Sequence, residues 1–335
     1  MGSWYKETDT INDIVISSRI RFARNLSDLP FPRRMNEAMF SDLKERVKKA
    51  IEEINSEGEL KLNYIEMDNI PQNEIGAMVE RHVISPVFAS EHKNRAIAIS
   101  DDESISIMIG EEDHIRIQVT VSGDNLDKAY SIADGLDNSL NNKLKFAFDS
   151  KLGFLTECPT NIGTGLRASV MLHLPICEKL GEIASISDAA GKIGFTVRGM
   201  YGEGSKAVAS LYQISNQITL GISEKNAVEN LKVITLQIVG KEKEYRLNLN
   251  KTELEDTIFR AYGTLKYARL ISTDEFMKLI SLIKLGLCMG IIDNNEIKPI
   301  EMLIEAQPYM LQKKYYPMNA KERDEARAKM LRDIL

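Results

Sequence analysis

Residues 158–169, with the sequence CPTNIGTGLRAS, combine groups that suit a phosphate-bearing ligand. They hold a thiol at Cys158, glycines at Gly163 and Gly165, and a guanidinium at Arg167. Glycines let backbone N–H groups approach an anion closely, and the start of a helix favours negative charge. Because Arg167 opens an apolar, helix-like run, we expect an anion to bind here. A structural cysteine before a glycine-rich helix entry is the alternative.

A second cluster lies on a predicted strand over residues 13–22. The alternation of this segment places Ile14, Ile16 and Ile20 on one face, and Arg19 and Arg21 on the other. Two guanidiniums that point the same way repel each other unless an anion or a carboxylate lies between them. A solvated strand face with surface arginines is equally compatible with this segment alone.

A third cluster, GEEDHIR at residues 110–116, joins two apolar segments. Glu112, His114 and Arg116 share strand parity, which would bring a carboxylate and a guanidinium to one cleft. A solvated acidic turn is the alternative. Gly110 stands at the first position of this turn.

The fourth cluster is RGMYGEGS at residues 198–205, in which Arg198 and Glu203 flank a glycine-rich loop. The glycine spacing begins like a P-loop, but Ser205 and Lys206 stand in the reverse of the order that motif requires. The segment therefore offers one cation and one carboxylate on a loop.

The four clusters together meet the needs of phosphoryl transfer. Fixed cations stabilise charge on the transferring group, and arginine is well suited to bidentate contact with phosphate. Two carboxylates could grip a guanidinium acceptor, orient one nitrogen and take its proton. The residues concerned are Arg19, Arg21, Arg116, Arg167, Arg198, Glu112 and Glu203.

Composition narrows the class of protein. The chain has 335 residues and a formal net charge of −6, which argues against a general nucleic-acid binder. Its cysteines, Cys158, Cys177 and Cys288, are too few and scattered for a disulfide framework. The chain shows neither an apolar signal core at its start nor a run long enough to cross a bilayer. We therefore predict a cytoplasmic protein without a membrane segment.

The pattern of elements changes along the chain. Strands are predicted over residues 96–100, 104–109, 115–121, 194–198 and 211–220, with a helix over 125–141. Short links between strands favour an α+β fold with a mainly antiparallel sheet flanked by helices. Helical patterns follow at 224–240, 252–270, 273–288, 296–306 and 320–334, with N-caps at Thr273-Asp274 and Asp293-Asn294. We place a domain boundary near residue 248, dividing a catalytic domain (1–248) from an all-helical C-terminal domain (249–335).

In order and spacing, the four clusters resemble the signature blocks of the phosphagen (guanidino) kinases. The resemblance spans most of residues 14–220 and implies phosphoryl transfer from ATP, with Mg²⁺, to a guanidinium. It implies that the nucleotide is bound by Arg19, Arg21, Arg116, Arg167, Arg198 and His82. Glu112 and Glu203 would orient and deprotonate the acceptor, with Cys158 beside it. The sequence contains neither a metal-triad motif nor a His-Glu-x-x-His zinc pattern, so we predict no metal site built from protein side chains.

Two features shift the resemblance towards the bacterial protein-arginine kinases of the McsB family. The first block begins near residue 14, which suggests that the N-terminal domain enclosing a free guanidino substrate is missing. KERDEARA at 321–328 resembles that family's phosphoarginine-binding motif, with Arg323 and Asp324 as contacts. An ordinary charged helix is the alternative. Gly110 departs from the asparagine of many relatives.

This resemblance implies protein substrates with accessible arginines, a small zinc-binding activator protein, delivery of marked substrates to a Clp-type AAA+ protease, control of stress-response repressors, and a homodimer. Two other functions stay open. The chain could phosphorylate a free guanidino metabolite such as arginine, or act as a phosphoarginine-binding adaptor. The acceptor that is phosphorylated in the presence of MgATP separates these functions.

Overall fold

An antiparallel sheet lies at the centre of the protein. The computed structural model describes residues 3–6, 14–58, 60–200, 207–294, 296–315 and 317–335. Within them, eight strands pair in the order β2-β3-β4-β5-β1-β8-β10-β9, and two short strands, β6 and β7, form a separate hairpin. The strands are β1 Val15–Arg24, β2 Leu62–Glu66, β3 Ala96–Ser100, β4 Ile105–Ile109, β5 Ile115–Ser122, β6 Phe148–Asp149, β7 Gly153–Phe154, β8 Leu166–His173, β9 Phe195–Gly199 and β10 Leu211–Asn216. The predicted α+β class with an antiparallel sheet is confirmed.

Helices cover the sheet and form the C-terminal part of the chain. They are α1 Glu37–Glu57, α2 Gln72–Glu80, α3 Pro86–Ser90, α4 Leu126–Leu144, α5 Pro175–Lys179, α6 Ile183–Lys192, α7 Glu224–Leu247, α8 Lys251–Tyr267, α9 Thr273–Cys288, α10 Pro299–Glu305, α11 Pro308–Tyr315 and α12 Ala320–Ile334. No helix of the described ranges is long and apolar enough to cross a membrane.

The core has two large parts. The first joins the sheet to α1, α4 and α7, with Phe22, Val47 and Leu140 among its buried side chains. The second is built mainly from α8 to α12, and it extends to Trp4 and Ile16. The C-terminal helices therefore share one apolar core with residues of the sheet.

Strand register brings the predicted arginines to neighbouring positions. Arg21 of β1 lies opposite Arg167 of β8. On the other side of β1, Arg116 of β5 lies opposite Ala23, two residues after Arg21. On the other side of β8, Gln213 of β10 lies opposite Arg198 of β9. Four segments that are far apart in sequence thus meet across adjacent strands.

Two local predictions about the strands were wrong. Arg167 does not open a helix, because it is the second residue of β8, where β-branched and apolar residues pair with β1 and β10. Ile16 does not share a core with Ile14 and Ile20. The register of β1 against β8 shifts between Val15 and Ser17, and Ile16 packs into the second core instead. A bulge of this kind reverses the face of the residues beyond it.

The predicted helices agree better with the structure in their bounds than in their N-caps. α9 has the predicted bounds, but its N-cap is Ser272, whose side chain accepts from the N–H of Glu275. The predicted cap at Asp293-Asn294 was also misplaced, because α10 begins at Pro299 after Lys298. Proline suits the first position of a helix, since it has no N–H to leave unsatisfied.

Candidate active site

A cleft of about 1060 Å³ opens on the sheet and contains most of the predicted site. Its lining includes Arg19, Arg21, His82, Glu112, Arg116, Cys158, Arg167 and Arg198. Glu203 lies outside the described residues. Arg323 and Asp324 lie on α12 and are not part of this lining. The structure therefore brings together residues from all four sequence clusters.

Two arginines of the cleft donate hydrogen bonds to neutral acceptors. Arg19 donates to the Gln213 side chain at 2.7 Å, and Arg167 donates to the carbonyl of Asn216 at 3.2 Å. The buried Nε of Arg21 has no hydrogen-bond partner among the described residues. The neutral side chain of Gln213 orients Arg19 without cancelling its charge.

Burial and mutual repulsion destabilise the charged form of these arginines. Burial lowers the pKa of Arg19 to about 10, and the charge of Arg116 lowers it further. The pKa of Arg21 falls well below its ordinary value, first through burial and then through the charges of Arg19, Arg116 and Arg167. A negative charge in the cleft would oppose both effects, so these arginines favour an anionic ligand.

The acidic turn provides two carboxylates with different surroundings. Glu111 is buried, pairs with Arg116 and accepts a 2.6 Å hydrogen bond from the hydroxyl of Ser85. Glu112 is more exposed, and its carboxylate lies 3.6 Å from the second terminal nitrogen of Arg116. The sequence did not single out Glu111, because strand parity pointed to Glu112. Gly110 has a φ of 81°, which explains a glycine here and is a region that asparagine also tolerates.

His114 does not face the cleft, contrary to the parity argument. Its ring is buried, with Nδ1 accepting from the N–H of Leu26 at 3.0 Å and Nε2 at 2.8 Å from the Pro30 carbonyl. These contacts fix the loop after β1. The parity argument fails because Glu112 precedes β5 and lies in a turn.

Cys158 lies at the rim of the cleft and is partly exposed. Its sulfur is 3.1 Å from the hydroxyl of Thr160. The glycines that follow serve backbone packing. A Cβ at Gly163 would collide with the carbonyl of Thr219, and one at Gly165 would lie 2.6 Å from a terminal nitrogen of Arg24. The close approach predicted for these glycines is therefore made to the protein itself.

His82 forms part of the cleft wall in an unusual backbone conformation, with a φ of 60°. Burial lowers the pKa of its imidazole to about 3, and the charge of Arg19 acts in the same direction. The ring is therefore neutral at physiological pH. It also lines an adjoining, mainly apolar cavity shared with Trp4, Met171 and Met200.

The predicted phosphoarginine motif contains a buried arginine that the sequence did not single out. Arg327 is fully buried and donates to the carboxylate of Asp324 at 2.7 Å and to the carbonyls of Ala306 and Ile271. Arg323 donates to the Met318 carbonyl at 3.4 Å. Arg327 thus joins α12 to neighbouring C-terminal segments, while Arg323 is partly exposed.

Two protein-family models together match most of the chain. The ATP:guanido phosphotransferase C-terminal catalytic domain matches residues 42–245, and the protein-arginine kinase McsB C-terminal domain matches residues 251–335. The chain is 45% identical over 342 residues to a protein-arginine kinase of Clostridium kluyveri, covering 100% of this chain and 99% of that protein. It is 43% identical over 341 residues to the protein-arginine kinase of Halothermothrix orenii, covering 100% and 97%.

Solved structures show the same fold. Lombricine kinase superposes with a TM-score of 0.62 at 22% identity, over 73% of this chain and 71% of that chain. The duplicated taurocyamine kinase from Schistosoma mansoni, with bound transition state analog components, gives 0.62 at 25% identity, over 82% of this chain and 40% of that chain.

Proposed function

The chain belongs to the protein-arginine kinase family of ATP:guanido phosphotransferases, and from that premise we propose that it transfers the γ-phosphoryl group of ATP to arginine side chains in proteins. The product is ω-N-phosphoarginine. The observation that carries the proposal is the meeting of Arg19, Arg21, Arg116 and Arg167 with Glu112 in one cleft.

In this proposal the arginines bind the phosphates of ATP. Arg19, Arg21, Arg116, Arg167 and Arg198 line the same cleft, and their planar guanidiniums would share charge along the phosphate chain. As the γ-phosphoryl group leaves ADP, these fixed cations stabilise the developing charge without rearranging. The neutral His82 would contact the nucleoside end through hydrogen bonding and packing.

Mg²⁺ fits this site as a companion of the nucleotide. No cluster of three or more potential metal-ligating side chains occurs in the described parts of the chain, and Mg²⁺ commonly relies on substrate phosphates with few carboxylates. The carboxylates near the cleft, Glu111 and Glu112, lie beside Arg116. When bound, Mg²⁺ would neutralise phosphate charge. The arginines of the chain would position the phosphates around it.

The acceptor side is assigned to Glu112, Glu203 and Cys158. A substrate guanidinium would bind between the carboxylates, which orient one nitrogen towards the γ-phosphorus. A new N–P bond forms, the bond from phosphorus to the ADP oxygen breaks, and the proton leaving nitrogen passes to a carboxylate. Cys158 would contact the guanidinium from the rim.

We also propose a second role for the C-terminal part of the chain. Residues 1–248 would form the catalytic domain, and residues 249–335 a domain that binds phosphoarginine through Arg323 and Asp324. Arg323 is partly exposed on α12, and Asp324 is fixed by Arg327, which supports this assignment. We further propose that the protein is a cytoplasmic homodimer and that a small zinc-binding protein activates it. Its phosphorylated substrates would be delivered to a Clp-type protease, and it would control stress-response repressors.

Acceptor preference tests the proposed function. The purified protein is incubated with MgATP and either free arginine or an unfolded, arginine-rich protein. We expect phosphorylation of the protein and little of free arginine. Phosphorylation confined to free arginine would identify a metabolite kinase, and phosphoarginine binding without any phosphorylation would identify an adaptor. For the C-terminal site, Arg323→Ala should abolish binding of a phosphoarginine peptide, whereas Arg269→Ala, an exposed control, should not.

A further inference from the structure

The turn after α2 holds a strained residue in the wall of the cleft. α2 ends at Glu80, Arg81 is its C-cap, and His82 follows with a φ of 60°. The N–H groups of His82 and Val83 donate to carbonyls of the last helical turn, each at 2.9 Å. Glycine usually occupies the position of His82 in such a helix end. A side chain in this conformation persists when the surrounding structure fixes it.

Helix α11 of the C-terminal region binds the end of α2. The carboxylate of Glu80 is buried and accepts from the N–H groups of Tyr309 and Met310, at 2.9 and 2.8 Å, in the first turn of α11. Gly76 of α2 packs so closely on the Tyr309 ring that a Cβ would overlap it. One buried side chain therefore ties α2 to α11.

Further contacts fix the residues after Glu80. Arg81 pairs with Glu103 at 3.0 Å, and its carbonyl accepts from the indole nitrogen of Trp4 at 3.1 Å. The carbonyl of His82 accepts from the side chain of Gln118 at 2.8 Å. Within this network, Glu80 links α2 to α11 together with two neighbours: Glu74 pairs with Lys313 at 2.9 Å, and Arg81 donates to the sulfur of Met310 at 3.4 Å.

We propose that Glu80 is a positioning residue for nucleotide binding, which holds α11 against the end of α2 and thereby keeps the His82 turn in place beside Arg19. This inference rests on the proposed placement of ATP in the cleft. Glu80 is not among the residues that line the cleft, so it would act only through the turn. The C-terminal helices would thus contribute to nucleotide affinity without touching the nucleotide.

Removing the Glu80 carboxylate should loosen the turn. It would leave two backbone N–H groups of α11 without their acceptor in a buried interface, which is unfavourable. Glu80→Gln keeps the shape and one acceptor oxygen, whereas Glu80→Ala keeps neither. Nucleotide binding should therefore be weakened less in Glu80→Gln than in Glu80→Ala.

Nucleotide binding can be followed with the native fluorescence of the full-length protein. Trp4 is the single tryptophan of the sequence, and its ring centroid lies 6.3 Å from that of His82. Titration with MgADP should give a Kd raised about tenfold in Glu80→Ala and about threefold in Glu80→Gln, in line with the loss of backbone hydrogen bonds in a buried interface. Glu53→Gln, an exposed carboxylate on α1, should bind like the wild type.

Steady-state kinetics of the Glu80 variants distinguish a role in positioning the nucleotide site from a general structural role. The KM for ATP should rise in both Glu80 variants, while kcat and the KM for the protein acceptor change by less than about twofold. Unchanged nucleotide affinity in both variants would overturn the inference, as would a proportional loss of kcat without a change in either KM. If Glu80→Ala does not fold, Glu80→Gln decides. A wild type that binds MgADP but phosphorylates only free arginine would refute the proposed acceptor and leave this inference standing.

Discussion

Arg116 and Glu111 form an ion pair in the wall of the cleft, with the carboxylate almost fully buried. Ser85 donates to the same carboxylate at 2.6 Å, and Glu112 lies 3.6 Å from another nitrogen of Arg116. The two adjacent glutamates therefore differ in their surroundings. Glu111 holds the arginine, and the more exposed Glu112 is the carboxylate that we propose for the acceptor.

Glu111→Gln should weaken catalysis by releasing Arg116. The amide keeps the shape of the side chain but loses the charge that holds the guanidinium, which can then move towards Glu112. We expect kcat/KM to fall about 10- to 100-fold, the scale for disturbing one group that stabilises the transition state. Steady-state kinetics with a protein acceptor measure this. Activity within twofold of the wild type would refute the positioning role of Glu111.

Glu112→Gln should impair the chemical step more than substrate binding. An amide cannot take the proton from the guanidinium, so kcat should fall at least about 100-fold. Binding of MgADP should stay within about twofold, because the arginines of the phosphate site are intact. Glu229→Gln, an exposed substitution on α7, provides the control. Full autophosphorylation by Glu112→Gln would show that Glu112 is not the base.

Arg24→Gln should destabilise the fold. Arg24 has no exposed surface, donates to Asp137 at 2.8 Å and lies over the Phe154 ring at 3.6 Å. Removing one partner of a buried ion pair typically costs about 3–5 kcal/mol. Urea unfolding should show a loss of that order, against less than about 0.5 kcal/mol for the exposed control Arg34→Gln. Equal stability of the two variants would contradict the structural role of Arg24.

Glu80 should make stability depend on pH. Burial raises its pKa to about 7, although the amides of α11 and the charges of Arg327 and Arg81 oppose this. The folded state therefore binds this proton more tightly than the unfolded state. The stabilisation is full below the ordinary pKa of the carboxyl group and is lost as pH rises through about 7.

Comparison with Glu80→Gln isolates that contribution. From pH 4.5 to 7.5, the free energy of unfolding of the wild type should fall relative to that of Glu80→Gln, which cannot titrate at this position. Urea unfolding of both proteins across this range measures the difference. A difference that is constant with pH, or that changes in favour of the wild type, would contradict the raised pKa.

The sequence predicted the members of the cleft better than their surroundings. Arg19, Arg21 and Arg116 line one cleft, and they could be singled out because their spacing and alternation are local properties. Arg167 was assigned to a helix because its apolar run has no clear period, and only pairing with β1 makes it a strand. His114 was misplaced because parity does not apply in the turn before β5.

Long-range contacts were beyond the reach of sequence patterns. The bond from Glu80 to α11 joins residues 229 and 230 positions apart, and nothing near Glu80 indicates a partner. In the sequence, Arg327 is likewise one of several charged residues on a polar helix. In the structure it is buried and donates hydrogen bonds to the carbonyls of Ala306 and Ile271. Such residues become visible only when the helices are packed together.

The acceptor that we propose is an arginine side chain of a protein. The most direct test of this claim is phosphorus NMR of an unfolded, arginine-rich protein after reaction with MgATP and the full-length enzyme. We predict an acid-labile P–N signal that localises to arginine and is absent with Glu112→Gln. A P–O signal that survives acid, or a P–N signal found only on added free arginine, would contradict the claim.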